Sequence, residues 1–175
     1  MKLKLLLFAL LAFLVAGCMR ESDDEESVYL RYKGNAPWTV TGVRPGMTLD
    51  ELKKKRGEPS RTSGEPPNSF SWGGFSGWDQ LTVETDSSGR ITEVWGQRLM
   101  AGDQTLVSSG STEADIKAVL GKGNIISMTQ PGSFVLPTPG KKIGAKHYYR
   151  NGDVSFKLIV MKDQGITGIV AELKR

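Results

Sequence analysis

Apolar positions along this chain follow two periods. Leu49 and Leu52 share one face of a helix that Thr48 opens and Gly57 closes, and Ile116, Val119 and Leu120 do the same between Thr112 and Gly121. Thr48 with Glu51 and Thr112 with Asp115 are capping boxes, a side-chain acceptor at the start and a carboxylate three residues on. Gly57 and Gly121 predict left-handed stops, and Pro59 keeps the first helix from resuming. At an offset of 64, Gly46 meets Gly110, Thr48 meets Thr112, Leu52 meets Ile116, Lys53 meets Lys117 and Gly57 meets Gly121. Elsewhere the period is two. Leu81, Val83 and Thr85 alternate with polar neighbours, as do Phe156, Leu158 and Val160. Strands are predicted at 69–72, from 81, from 91, and at 146–150, 154–161 and 166–173. Turns fall at 86–89 and 162–165, and Asn151-Gly152 marks a hairpin. The stretch from Lys122 to Ala145, with Pro131, Pro137 and Pro139, reads as a long connection.

A helix of about ten residues with three or four strands cannot bury a sufficient core alone, but two such units can. The expected fold class is therefore α+β: a tandem repeat of a short helix plus antiparallel strands, with the helices on one face of the sheet and the other face partly open. The repeats span residues 37–101 and 102–175.

The first residues follow another logic. Lys2 and Lys4 precede an unbroken apolar run of 11 residues, Leu5 to Val15, the length of a signal-peptide core and short for a membrane span. The run ends Leu14-Val15-Ala16-Gly17-Cys18, which resembles the lipobox of bacterial lipoproteins. The resemblance implies removal of residues 1–17 and lipidation of Cys18; the alternative is an ordinary secretory signal. Residues 18–36 begin with Glu21, Asp23, Asp24, Glu25 and Glu26, and read as an acidic tether. Losing Lys2 and Lys4 lowers the formal charge from +4 to +2, so the pI near 9.2 overstates the basicity of the mature chain.

Composition narrows the chemistry. His147 is the only histidine and Cys18 the only cysteine, so neither a histidine-based metal cluster nor a disulfide is expected. No phosphate loop, calcium loop, nucleophile elbow or basic-aromatic nucleic-acid patch is present. No catalytic residue, cofactor or metal is assigned. Glu84 and Glu93 are able to approach on paired strands as a carboxylate pair, or to point outward as ordinary polar positions. The strongest binding signal is Phe70-Ser71-Trp72-Gly73-Gly74-Phe75-Ser76-Gly77-Trp78. Phe70 and Trp72 fit core strand positions or an interface. Phe75 and Trp78 fit an interface or a plug at a sheet edge. Trp95, Tyr148 and Tyr149 extend a candidate aromatic protein-binding surface.

Pro45-Gly46-Met47-Thr48, a short helix, Gly57-Glu58-Pro59 and then strands from Leu81 to Val94 resemble the SmpA/OmlA family of BamE-type envelope lipoproteins. The tandem arrangement resembles the β-lactamase inhibitor protein family. Ser111 and Gly123 depart from the first copy's methionine and proline, and cysteine pairs are missing. The resemblance implies fold and compartment more than any particular partner; the leading expectation is a membrane-tethered, non-enzymatic protein-binding module of the bacterial cell envelope, in assembly or scaffolding, with an envelope protein as partner. With two membranes, Met19 after the cysteine favours the outer one, facing the periplasm. The alternatives are an inhibitor or ligand-binding lipoprotein using a concave sheet face and, least favoured, a hydrolase.

Overall fold

The computed structural model describes residues 34–73, 80–130 and 141–174. In chain order its elements are β1 (Trp38–Val40), α1 (Leu49–Arg56), β2 (Arg61–Ser63), β3 (Ser69–Trp72), β4 (Leu81–Thr85), β5 (Ile91–Gly96), β6 (Arg98–Ala101), β7 (Gln104–Ser108), α2 (Glu113–Leu120), β8 (Asn124–Gln130), β9 (Lys141–Asn151), β10 (Val154–Met161) and β11 (Gly165–Leu173). Eight strands make one sheet in the order β2-β3-β4-β5-β11-β10-β9-β8, and β1-β6-β7 make a second, three-stranded sheet. All the ladders are antiparallel.

This corrects the expected fold class. Strand accounts for 54% of the described residues and helix for 13%, so the fold is predominantly antiparallel β and not a tandem α+β array. The physical reason lies in how little the helices bury. Each is eight residues long and fully buries one side chain, Leu52 in α1 and Ile116 in α2. They plug the core instead of layering it. The material read as connections supplies further strands: β1, β2, β6, β7 and, inside the long 122–145 stretch, β8.

The local signals that place the helices are nevertheless present. Thr48 Oγ1 accepts from Glu51 N at 3.2 Å while Thr48 N donates to Glu51 Oε2 at 2.9 Å. Thr112 and Asp115 repeat this at 3.2 and 2.8 Å. The stops differ from expectation. Gly57 sits at φ 80°, ψ −172° and Gly121 at φ 76°, ψ −167°. Positive φ with an extended ψ is outside the left-handed helical region, and glycine is essentially the only residue that adopts it.

Strand parity sorts the large sheet into two faces. Phe70, Val83, Val94, Ala171, Phe156 and Tyr149 form one cross-strand row, and Trp72, Leu81, Gly96, Ile169, Leu158 and His147 form the next. Most of these side chains are buried, and both helices and the small sheet pack against them, with Leu52, Ile116, Val40, Leu99 and Val107 in the same core. A Cβ on Gly96 would lie 2.7 Å from Val40 Cγ1 and 2.6 Å from Thr41 Oγ1, so glycine lets β1 press directly onto β5. Arg44 ties the first part of the chain to the β9–β10 hairpin. Its guanidinium donates to Trp38 O at 2.8 Å, Asn151 O at 2.8 Å, Asn151 Oδ1 at 3.2 Å and Asp153 Oδ1 at 2.9 Å.

Candidate functional site

The opposite face of the large sheet carries no helix among the described residues, and it is the candidate site. One row crosses all eight strands: Arg61, Ser71, Thr82, Trp95, Val170, Lys157, Tyr148 and Asn124. The neighbouring row holds Ser69, Glu84, Glu93, Glu172, Ser155 and Arg150. The sheet register therefore sets three glutamates side by side on β4, β5 and β11. Like charges directly opposite one another oppose pairing, a cost that the Lys157 ion pair to Glu172 offsets only in part.

Trp95 stands beside that row, 39% exposed. Its indole Nε1 donates to the Glu93 carboxylate. Lys157 Nζ lies 5.6 Å from the Trp95 ring centroid and 3.3 Å from Glu172 Oε1, bridging the aromatic face and the acidic row. On the far side of Trp95 is a groove of about 290 Å³ walled by Trp95, Thr82, Gln97 and Ile159, with Gly168 among its lining. The arrangement combines an apolar slot, a flat aromatic wall and a line of fixed negative charge.

The sequence-predicted aromatics divide by strand parity. Trp95 and Tyr148 share the outer face, in one row but three strands apart. Trp72 and Tyr149 are on the core face. Trp72 is 6% exposed and its Nε1 donates to Gly57 O at 2.9 Å. The Tyr149 hydroxyl donates to Gly121 O at 3.1 Å. Each thus satisfies the carbonyl of a helix-ending glycine, a role in the fold that their neighbours in sequence do not share. Burial, with Glu113 as a lesser cause, pushes the Tyr149 phenol up to about 12, so it stays a hydrogen-bond donor at any physiological pH. Cys18, Phe75 and Trp78 lie outside the described residues. Sequence reasoning missed Glu172 as the third member of the acidic row, because register across β5 and β11 pairs residues 79 positions apart.

A second concavity lies at the start of α2. It measures about 540 Å³ and is lined by Thr112, Glu113, Lys142, Val160, Met161 and Lys162, among others. Near it His147 is buried, with Nε2 3.7 Å from Glu113 Oε1, beyond hydrogen-bond reach. Burial lowers the His147 pKa despite Glu113, which raises it; Lys142 also lowers it. Among the described residues no group of His, Cys, Asp or Glu is placed to hold a metal ion.

No family model and no curated protein sequence matches the chain. Among solved structures, it is similar to a cysteine-rich secretory protein (SAV1118) from Staphylococcus aureus subsp. aureus Mu50, with 14% identity and a TM-score of 0.50 over 79% of this chain and 46% of that one. A DUF4309 family protein (YjgB) from Bacillus subtilis subsp. subtilis str. 168 aligns at 14% identity and a TM-score of 0.48, over 78% of this chain and 82% of that one. Identity this low extends to fold alone. The expected kinship with SmpA/OmlA (BamE-type) lipoproteins and with the β-lactamase inhibitor protein family is overturned: no family model matches, and the cysteine-rich secretory protein, a structural neighbour at a TM-score of 0.50, is of neither family. The Gly-Met-Thr, capping-box and stop-glycine signals that suggested it specify short capped helices, which many folds contain.

Proposed function

We propose that this protein is a membrane-tethered, non-enzymatic protein-binding module of the bacterial cell envelope, and that it binds through the outer face of its eight-stranded sheet. The observation that carries the reading is the pairing of Trp95 and its groove with the Glu84–Glu93–Glu172 row on a face left open by the described elements. Exposed tryptophan in a slot is the type of residue that dominates binding energy at interfaces. A carboxylate row that opposes folding is explained when an oppositely charged partner neutralises it. The partner fitting both features presents an apolar side chain flanked by lysine or arginine. The groove, at about 290 Å³, is at the lower limit of small-molecule sites, roughly 300–1,000 Å³, which favours a protein over a compact ligand. The tether is Cys18, on the strength of its lipobox-like context.

The experiment is capture of partners from detergent-solubilised membranes by the full chain, repeated with Trp95→Ala and with Glu93→Lys. A band retained by the unaltered chain and lost with both variants, at unchanged melting temperature, supports the reading. A band indifferent to both refutes it. A second reading, a ligand-binding lipoprotein, draws on the cleft of about 540 Å³ beside α2, which is within the small-molecule range. It predicts capture or ligand retention sensitive to Lys142→Glu and insensitive to Trp95→Ala.

A further inference from the structure

The two ends of the large sheet are built differently. β2 closes one end with three exposed residues, Arg61, Thr62 and Ser63. Short, polar and charged strands are a common protection against edge-to-edge pairing. β8 closes the other end, paired with β9 on one side and with no described strand on its other side. It is neither short nor charged, and its polar residues are interspersed with exposed apolar ones. Its seven residues, Asn-Ile-Ile-Ser-Met-Thr-Gln, contain no charge, no proline and no glycine. Ile125 is 46% exposed and Ile126 is 58% exposed. Their register partners are His147, on the core face, and Lys146, on the outer face, so both surfaces of the sheet end in an apolar side chain at this rim.

The strand also reads nearly alike in both directions about Ser127. With two copies laid antiparallel and Ser127 on the twofold axis, Ile126 falls opposite the second copy's Met128, Ile125 opposite its Thr129, and Asn124 opposite its Gln130. Aliphatic meets aliphatic and β-branched meets β-branched, which is the self-complementarity an isologous interface requires. No charge on β8 opposes the contact. The nearest cations, on β9, would be three strand spacings from their counterparts, about 14 Å, which exceeds a physiological Debye length of about 8 Å.

We infer that β8 is a self-association edge: two copies of this chain pair antiparallel through β8, joining their large sheets around a twofold axis. Each outer face then continues into its twin, so the surface bearing Trp95 and the glutamate row is presented twice, and a partner with two matching sites gains avidity.

The test uses the full chain expressed in bacteria, in whichever fraction holds it. Ser127→Cys places an exposed thiol on the proposed axis, where facing strands hold Cα atoms about 4.5–5.5 Å apart, inside the disulfide range of about 4.4–6.8 Å. Ser63→Cys on β2 and the unaltered chain are the controls, the latter reporting any background from Cys18. Mild oxidation is expected to give a covalent dimer from Ser127→Cys and none from either control. Adding Ile126→Lys should abolish the product while leaving the far-ultraviolet spectrum and melting temperature unchanged. A Ser127→Cys dimer no stronger than the controls overturns the inference. So does a product joining residue 127 to a different protein, which would make β8 an edge for a foreign strand.

Discussion

At the residue scale, the decisive variable is the side of the strand on which a side chain falls. Tyr148 and Tyr149 are adjacent in sequence and opposite in role, as are Glu93 and Val94. Trp72→Ala removes a buried ring and leaves Gly57 O without its indole donor, so it should lower stability by about 3–5 kcal/mol in urea denaturation. Trp95→Ala should leave stability nearly unchanged and cost about 2 kcal/mol or more of partner binding. Gly57→Ala tests the stop geometry. No atom lies within 4 Å of the added Cβ, so the cost is backbone strain alone, about 1–3 kcal/mol. His147 gives a pH signature. Its folded pKa lies below the ordinary value of 6.5, so the unfolded chain binds the proton first. The associated stability is full above 6.5 and is lost as pH falls below it. Melting temperature should therefore drop between pH 7.5 and pH 5 in the unaltered chain and much less in His147→Gln. Glu51, Asp86, Asp115 and Asp153 also have lowered pKa values, through hydrogen bonds, but their starting values are 4.5 or 3.8. Their stabilisation is lost in a separate, more acidic window.

At the element scale, the sequence was legible wherever a local signal sufficed. The capping boxes at Thr48 and Thr112 placed both helix starts, and the alternation in 81–85 and 154–161 placed β4 and β10 with the correct faces. Asn151-Gly152 located the β9–β10 hairpin. β8 was illegible because Ile125-Ile126 breaks the alternation and the proline-rich stretch beyond it dominates the composition. β1 is only three residues long, and the apolar residues of β6 and β7 are consecutive, Leu99-Met100-Ala101 and Leu106-Val107, so no alternation marks them; they are held by pairing β1 to β6 and β6 to β7 over the core. Arg44 was invisible for a related reason: its partners at Asn151 and Asp153 are more than 100 positions away. Arg44→Ala removes hydrogen bonds to two backbone carbonyls and one amide oxygen that are partly shielded from water. It should cost about 2–3 kcal/mol, read as a lowered midpoint in denaturant. If the midpoint does not move, the β9–β10 hairpin is held by the Trp38, Tyr149 and Phe156 ring contacts instead.

At the scale of the whole molecule, the fold is a large antiparallel sheet with one face committed to the core and the other uncovered by any described element. Trp95, Tyr148 and the approach of Glu84 to Glu93 were legible in the sequence as candidates, but Glu172 was not, since its place in the row arises from register between strands formed by distant segments. The overturned family likeness has the same origin: short capped helices are local and recur, whereas the order of strands is global and decides the architecture. On the proposed function, this protein meets its partner through the outer sheet face. The most direct measurement is photocrosslinking in living cells, with a photoreactive residue at Thr82 or Ser155 on that face and, in separate strains, at Asp50 or Lys54 on α1. One shared crosslinked partner is expected from Thr82 and Ser155 and none from α1. The same partner captured from Asp50 or Lys54, with nothing from the sheet positions, would contradict it.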